Sequence, residues 1–161
     1  MGYFERSQGV RQELLSEDGL LTQAKRAFNS EYEEFGAGKN ASLFRIGTLP
    51  SGLYVAIRVP RGWNSLSLLE DYCQNAEMLD SEGKEVPKFC VGVLYGERAG
   101  IFTEDLTKGD TQSFEHCPDE EFVWVGSGKH RRKVYVDIDH LFKWRRHKEL
   151  KYFLDDHLIK L

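Results

Sequence analysis

Between Gly52 and Pro60 the chain alternates. Val55, Ile57 and Val59 hold one set of positions and Tyr54, Ala56 and Arg58 the other, the two-residue period of a strand with unlike faces. The same grammar covers residues 31–60, which read as strand, glycine-containing turn, strand, Leu49-Pro50-Ser51-Gly52 turn, strand. Ahead of them, residues 7–30 carry Leu14, Leu15, Leu20, Leu21, Ala24, Ala27 and Phe28 at helical spacing, with Gly19 predicted to break the run in two. Behind them, a helix is predicted over 65–80. Asn64 or Ser65 caps it, Ser67 and Glu70 form a capping box, and Leu69, Tyr72, Cys73, Ala76 and Leu79 make its apolar stripe. Residues 89–106 read as two short strands joined at Gly96–Gly100, and 107–119 as polar and irregular. A hairpin follows over 121–138, with "EFVWV" and "KVYVDI" around "GSGKHRR". From Lys148 to Leu161 the pattern predicts an amphipathic helix with Leu150, Leu154, Leu158 and Leu161 on one side. The sum is an α+β fold: an antiparallel five-stranded sheet with one packed helix, a second β-hairpin and terminal helices. One domain is expected over 1–161, with a helical segment at 1–30, a core at 31–110, and the hairpin and C-terminal helix at 111–161.

Composition narrows the class. The 161 residues are 40% hydrophobic and 30% charged, as in ordinary globular chains. No apolar run approaches the length of a membrane span, and Glu5 and Arg6 stand where a secretory leader needs an apolar core. Cys73, Cys90 and Cys117 are odd in number, widely spaced and without a CxxC, which fits reduced thiols in a cytoplasmic protein. Charge is uneven. Residues 128–161 hold ten Lys or Arg against five Asp or Glu, whereas the preceding 127 hold twelve against twenty-one. The basic clusters are "KHRRK" at 129–133 and "KWRRHK" at 143–148. They read either as a solvated turn and helix face or as grips for phosphate. In the second reading Arg131, Arg132, Arg145 and Arg146 bind an anion or nucleic acid, and Trp144 stacks on a base.

Arg58 is the awkward residue. On the polar face of a half-buried strand it points to water; turned into a cleft it holds an anion. Its surroundings bear on the choice. Gly36 and Gly38 form a turn between strands, where backbone N–H groups approach an anion with no Cβ in the way. The order turn, strand, β-turn, "VAIR", helix, "VGVLYGERAGIFTEDLTKG" and a later strand ending in "VDID" resembles the nucleotide-binding small lobe of the protein kinase-like fold. Gly36-x-Gly38-x-x-Ala41 is similar to that family's Gly-rich loop, with Ala41 for the third glycine. Val55-Ala56-Ile57-Arg58 resembles V-A-I-K, with Arg for Lys. The resemblance implies that Arg58 faces the phosphates, with Asn75, Glu70 or Glu77 of the helix beside it. It also puts Thr103 at the gatekeeper position, Glu104 to Leu106 at the adenine hinge, and Asp137 on the metal, with ATP and Mg2+ as ligands.

The rest of the kinase pattern is missing. Between Leu106 and Pro118 lie eleven residues, 107–117, where the family places two helices. Fully extended they reach about 40 Å and cannot also fold into those helices. No H-R-D precedes "PDEEFVWV", and after Asp137 there is no A-P-E. The resemblance therefore implies a pseudokinase-like, non-catalytic module that binds a protein partner, or a second copy through the C-terminal helix. One alternative is a small atypical phosphotransferase using Asp137, Asp139 and one of His116, Asp119 or Glu120. Others are the anion or nucleic-acid reading above and an α+β adaptor with no ligand.

Overall fold

The computed structural model describes residues 2–30, 36–37, 41–61, 66–108, 114–116, 122–136, 138 and 150–161. The N-terminal run forms two helices, α1 (Tyr3–Leu15) and α2 (Asp18–Phe28). The break falls at Ser16 and Glu17, and Gly19 lies within α2 rather than at the break. Ser16 stops α1 because its hydroxyl and its N–H both bond the Glu13 carbonyl, a local alternative to continuing the helix.

Six strands form the larger sheet: β1 (Gly36–Ala37), β2 (Ala41–Thr48), β3 (Tyr54–Pro60), β4 (Cys90–Tyr95), β5 (Arg98–Glu104) and, far along the chain, β9 (Ile159–Lys160). Their order is β1-β2-β3-β5-β4-β9. The first five are antiparallel neighbours, but β9 runs parallel to β4, with Val93 opposite Ile159. The sheet is therefore mixed, against the expectation of a wholly antiparallel one. Between β3 and β4 the chain passes through α3 (Leu66–Ser81), whose predicted stripe of Leu69, Tyr72, Cys73, Ala76 and Leu79 is buried throughout.

Strand parity sorts the core into two. Val55, Ile57, Val59, Phe44, Val91, Val93 and Phe102 close on Val10, Leu14 and Phe28 of α1 and α2. Ile101, Ala99 and Cys90 turn the other way and close on α3, Tyr152, Phe153 and Ile138, where Tyr3 at the head of α1 joins them. A second sheet is made of β6 (Phe114–His116), β7 (Phe122–Val125) and β8 (Arg132–Tyr135), all antiparallel. The hairpin β7–β8 was expected; β6 was not, since its three residues fall in the stretch read as irregular and are too few to show a period.

The C-terminal helix is a correction. Residues 150–158 are turns leading into β9. Leu154, assigned to the apolar stripe, is 48% exposed, while Tyr152, Phe153, Leu158 and Ile159 are buried. The cause is Glu70. Its carboxylate accepts the Tyr152 N–H at 2.6 Å, so that donor bonds a side chain of α3 rather than a carbonyl of its own segment, and it shares the Phe153 N–H (3.3 Å) with the Leu150 carbonyl (3.2 Å). That partnership also removes Glu70 from the predicted capping box. Tyr152, Phe153, Leu158 and Ile159 are thus covered by the chain's own core, and the expected partner or second-copy contact has no helix over 150–161 to use.

Candidate functional site

The register of the sheet places the Arg58 side chain. Arg58 stands opposite Leu43 on one side and Ile101 on the other, and Ile101 belongs to the core beneath α3. The guanidinium therefore turns toward α3, where its Cζ lies 4.9 Å from the centre of the Tyr72 ring. The residue is half-buried, and no carboxylate among the described residues pairs with it. Glu77, an expected partner, bonds Lys151 instead at 2.8 Å, and Glu70 is committed to the tail. Asn75 donates to the carbonyl of Ile138 at 2.6 Å, tying α3 to the end of the second sheet's chain.

Two cross-strand rows organise this face. In one, Gly36 of β1 is opposite Leu43, which is opposite Arg58. Two strand spacings, about 10 Å, therefore separate the backbone of Gly36 from that of Arg58. In the next row Arg45, Ala56, Thr103 and Cys90 stand in line. Ala56 is buried and presents one methyl group; Thr103 is buried, and its hydroxyl has no hydrogen-bond partner among the described residues. An unpaired buried hydroxyl costs free energy that a ligand atom could return. Glu104 has the opposite parity, across from Val55, and accepts the N–H of Lys88 at 3.1 Å. Its side chain does not join Thr103.

The segment after β5 is held firmly. The Asp105 carboxylate accepts the N–H (3.0 Å) and hydroxyl (2.5 Å) of Thr107, and Arg45 Nη2 donates to that hydroxyl at 3.1 Å. Leu106 is thereby turned onto Val123, Val125 and Val134 and joins the two sheets through a small apolar core. The polar triad Arg45–Asp105–Thr107 was missed in the sequence. A three-residue D-x-T turn is its only local signal, and Arg45 comes from a distant strand.

Gly38, Asp137, Arg145 and Arg146 lie outside the described residues, as do Asp119, Asp139 and Glu120. Among the described residues no three His, Cys, Asp or Glu gather in a way that could hold a metal ion. The two arginines of the first basic cluster part company: Arg132 pairs with Glu85 at 2.6 Å, whereas Arg131 lies over Trp124. His116 stands opposite Val123 in β6. Two cavities lie away from Arg58. One, about 390 Å3, is bordered by Ser42, Arg61 and Arg98 at the end of α2; the other, about 330 Å3, by Leu106, Lys108, His130 and Arg132.

Burial on the α3 side favours the protonated forms of several groups. Burial pushes the Cys73 thiol and the Tyr3 and Tyr152 hydroxyls upward, and also raises the Glu70 carboxyl despite the N–H groups it accepts. Tyr3 donates to the Pro87 carbonyl at 2.8 Å and lies 3.3 Å from Cys90 Sγ. A buried thiol held protonated is not a nucleophile, so Cys73 belongs to the packing.

Set against known proteins, the chain matches no family model, no curated protein and no solved structure. No helix among the described residues is long and apolar enough to cross a membrane.

Proposed function

We propose that the chain is a non-catalytic, kinase-like binding module whose nucleotide cleft runs along the α3-facing side of β3 and β5. The observation that carries this reading is the conjunction of Arg58, Ala56 and Thr103 on one face, a half-buried cation without a carboxylate beside a small floor and an unpartnered hydroxyl. The row from Gly36 to Arg58 and the passage through α3 between the third and fourth strands support it as well. Arg58 takes the α- and β-phosphates of ATP, with Gly36 of β1 on the same cross-strand row. Ala56 and Thr103 face the base; Glu104, of opposite parity, and Leu106, packed on Val123, Val125 and Val134, do not. Arg differs from Lys here in its fixed planar fork, which favours bidentate phosphate contact over the point charge of an ammonium. Mg2+ would fall to Asp137; the charge that Arg58 supplies does not depend on it.

The missing H-R-D and the eleven residues of 107–117 argue for binding without turnover, since phosphoryl transfer needs base, metal and acceptor held together. The module then acts through a protein contact.

Thermal unfolding with and without Mg-ATP tests the nucleotide half. Ligand at about 100 times its Kd stabilises by about 2.7 kcal/mol, and this gain is lost in Arg58→Ala. No γ-phosphate release is expected from either protein. A wild-type melting temperature unmoved by saturating nucleotide overturns the cleft, and steady ATP turnover overturns the non-catalytic reading.

A further inference from the structure

The second sheet has two faces of its own. Val123, Val125 and Val134 turn onto Leu106. The alternate positions, Phe122 and Trp124 on β7 and Lys133 and Tyr135 on β8, share the opposite face, with Phe122 across from Tyr135 and Trp124 across from Lys133. The rings meet edge to face, Phe122 with Trp124 at 5.5 Å and with Tyr135 at 6.3 Å. All three are half-buried.

Cations gather over them. Arg131 lies 3.9 Å from the Trp124 ring centre, Lys133 4.0 Å from Phe122 and 5.3 Å from Tyr135, and Lys84 5.4 Å from Tyr135. Lys84, Arg131 and Lys133 are all exposed. Of the neighbouring acids, Glu85 is taken by Arg132, and Glu115 stands opposite Trp124 in the register.

We propose that this face binds single-stranded nucleic acid. A folding core needs neither three rings left partly in water nor three exposed cations against them. An anionic polymer with flat bases uses both. Phosphates meet the lysines, and bases stack on the rings or on the outer plane of the Arg131 guanidinium. An acidic peptide would use the cations and leave the rings idle. A duplex hides its base faces and would meet the cations alone. The charge surplus of residues 128–161, ten basic against five acidic, favours the same occupant. The face lies on the side of the sheet away from Leu106, so this proposal and the nucleotide cleft stand or fall separately.

The test is fluorescence anisotropy of the full chain with a labelled oligothymidylate about twelve nucleotides long and with a duplex of the same length. The single strand should bind about tenfold or more tighter than the duplex, since one stacked base is worth that much. Three released counterions on a single strand predict about a 20-fold loss between roughly 50 and 200 mM salt. Trp124→Ala should weaken binding by about tenfold and Trp124→Phe should largely restore it. The double change Arg131→Ala with Lys133→Ala touches only exposed side chains; it should weaken binding and flatten the salt dependence. No binding at low salt overturns the proposal, and so does equal affinity for single strand and duplex. An intact response in the Arg131/Lys133 variant alongside loss in Arg145→Ala with Arg146→Ala overturns it too, by moving the site to the other basic cluster.

Discussion

The two faces of the larger sheet are made by the same strands and follow different rules. Toward α1 and α2, Phe44, Val55, Ile57, Val59 and Phe102 close on Leu14 and Phe28 with aliphatic and aromatic side chains. Toward α3, the same strands present Arg58 and Thr103, and the elements packed there bring the Glu70 carboxylate and the Tyr152 hydroxyl. Two of the buried polar atoms on that side, Thr103 Oγ1 and Tyr152 Oη, have no hydrogen-bond partner among the described residues. Burial of apolar surface alone would stabilise either face. Polar groups in a core cost free energy unless paired: Glu104, buried on the other parity, accepts the Lys88 N–H, whereas these two hydroxyls have no partner among the described residues.

The largest expected effect lies on the apolar face. Phe28 is fully buried and packs beside Tyr95, with ring centres 5.5 Å apart. Phe28→Ala should cost about 3–5 kcal/mol in urea unfolding. Nucleotide and oligonucleotide affinities, measured well below the lowered midpoint, should hold. A loss under about 1 kcal/mol would mean that this face is not the stabilising one.

On the α3 face the expected costs are smaller and more specific. Glu70→Ala leaves the Tyr152 N–H buried without its acceptor, while Phe153 keeps the Leu150 carbonyl, a cost of about 1–3 kcal/mol. Hydrogen exchange should quicken in 150–161 and not in α2; uniform quickening would show that the tail is not a separate unit. The carboxyl also has a pH signature. Its pKa in the folded chain is raised, chiefly by burial, so the folded state keeps a proton that the unfolded state has lost. Stability therefore falls as pH rises from the ordinary Glu range through the raised value, and this part of the profile should vanish in Glu70→Gln. Gly92 gives an independent handle. A Cβ there would stand 2.8 Å from the Tyr152 carbonyl and 3.1 Å from the Phe153 ring, so Gly92→Ala should cost about 1–3 kcal/mol and loosen the same segment.

These contrasts also show what could be read in advance. Alternation in 54–60 and the α3 stripe were legible because local period and tertiary burial agree there. The Arg58 orientation followed from parity once Val55, Ile57 and Val59 were known to share a face. The tail failed because leucines four apart mimic a helix, while the residues that are buried, Tyr152 and Phe153, are adjacent and cannot share a stripe. What fixes them is a carboxylate 82 residues away, and no local window contains it. The Arg45–Asp105–Thr107 contacts were hidden for the same reason, with 62 residues between Arg45 and Thr107. The second basic cluster's Arg145 and Arg146 lie outside the described residues, whereas the first proved to be divided between Glu85 and an aromatic face that only the register of β7 and β8 reveals.

The smallest effect is the most discriminating. Thr103→Val keeps shape and removes the one hydroxyl on the Ala56 row that bonds nothing. If that group is an unpaired buried dipole, its loss should raise stability by about 1 kcal/mol, with a higher urea midpoint and an unchanged m-value. Thr103→Ser, which keeps the hydroxyl and loses a methyl, should move the other way. Mg-ATP should then stabilise the valine variant less than wild type, because the ligand no longer finds the atom waiting for it. A destabilised valine variant would mean that the hydroxyl already has a partner in solution. In that event the polar face would be reduced to packing, and the contrast between the two sides of the sheet would carry no functional meaning. A stabilised variant that still gains fully from nucleotide would separate the points: the orphan hydroxyl would be real, and the cleft would have to bind through Arg58 without it.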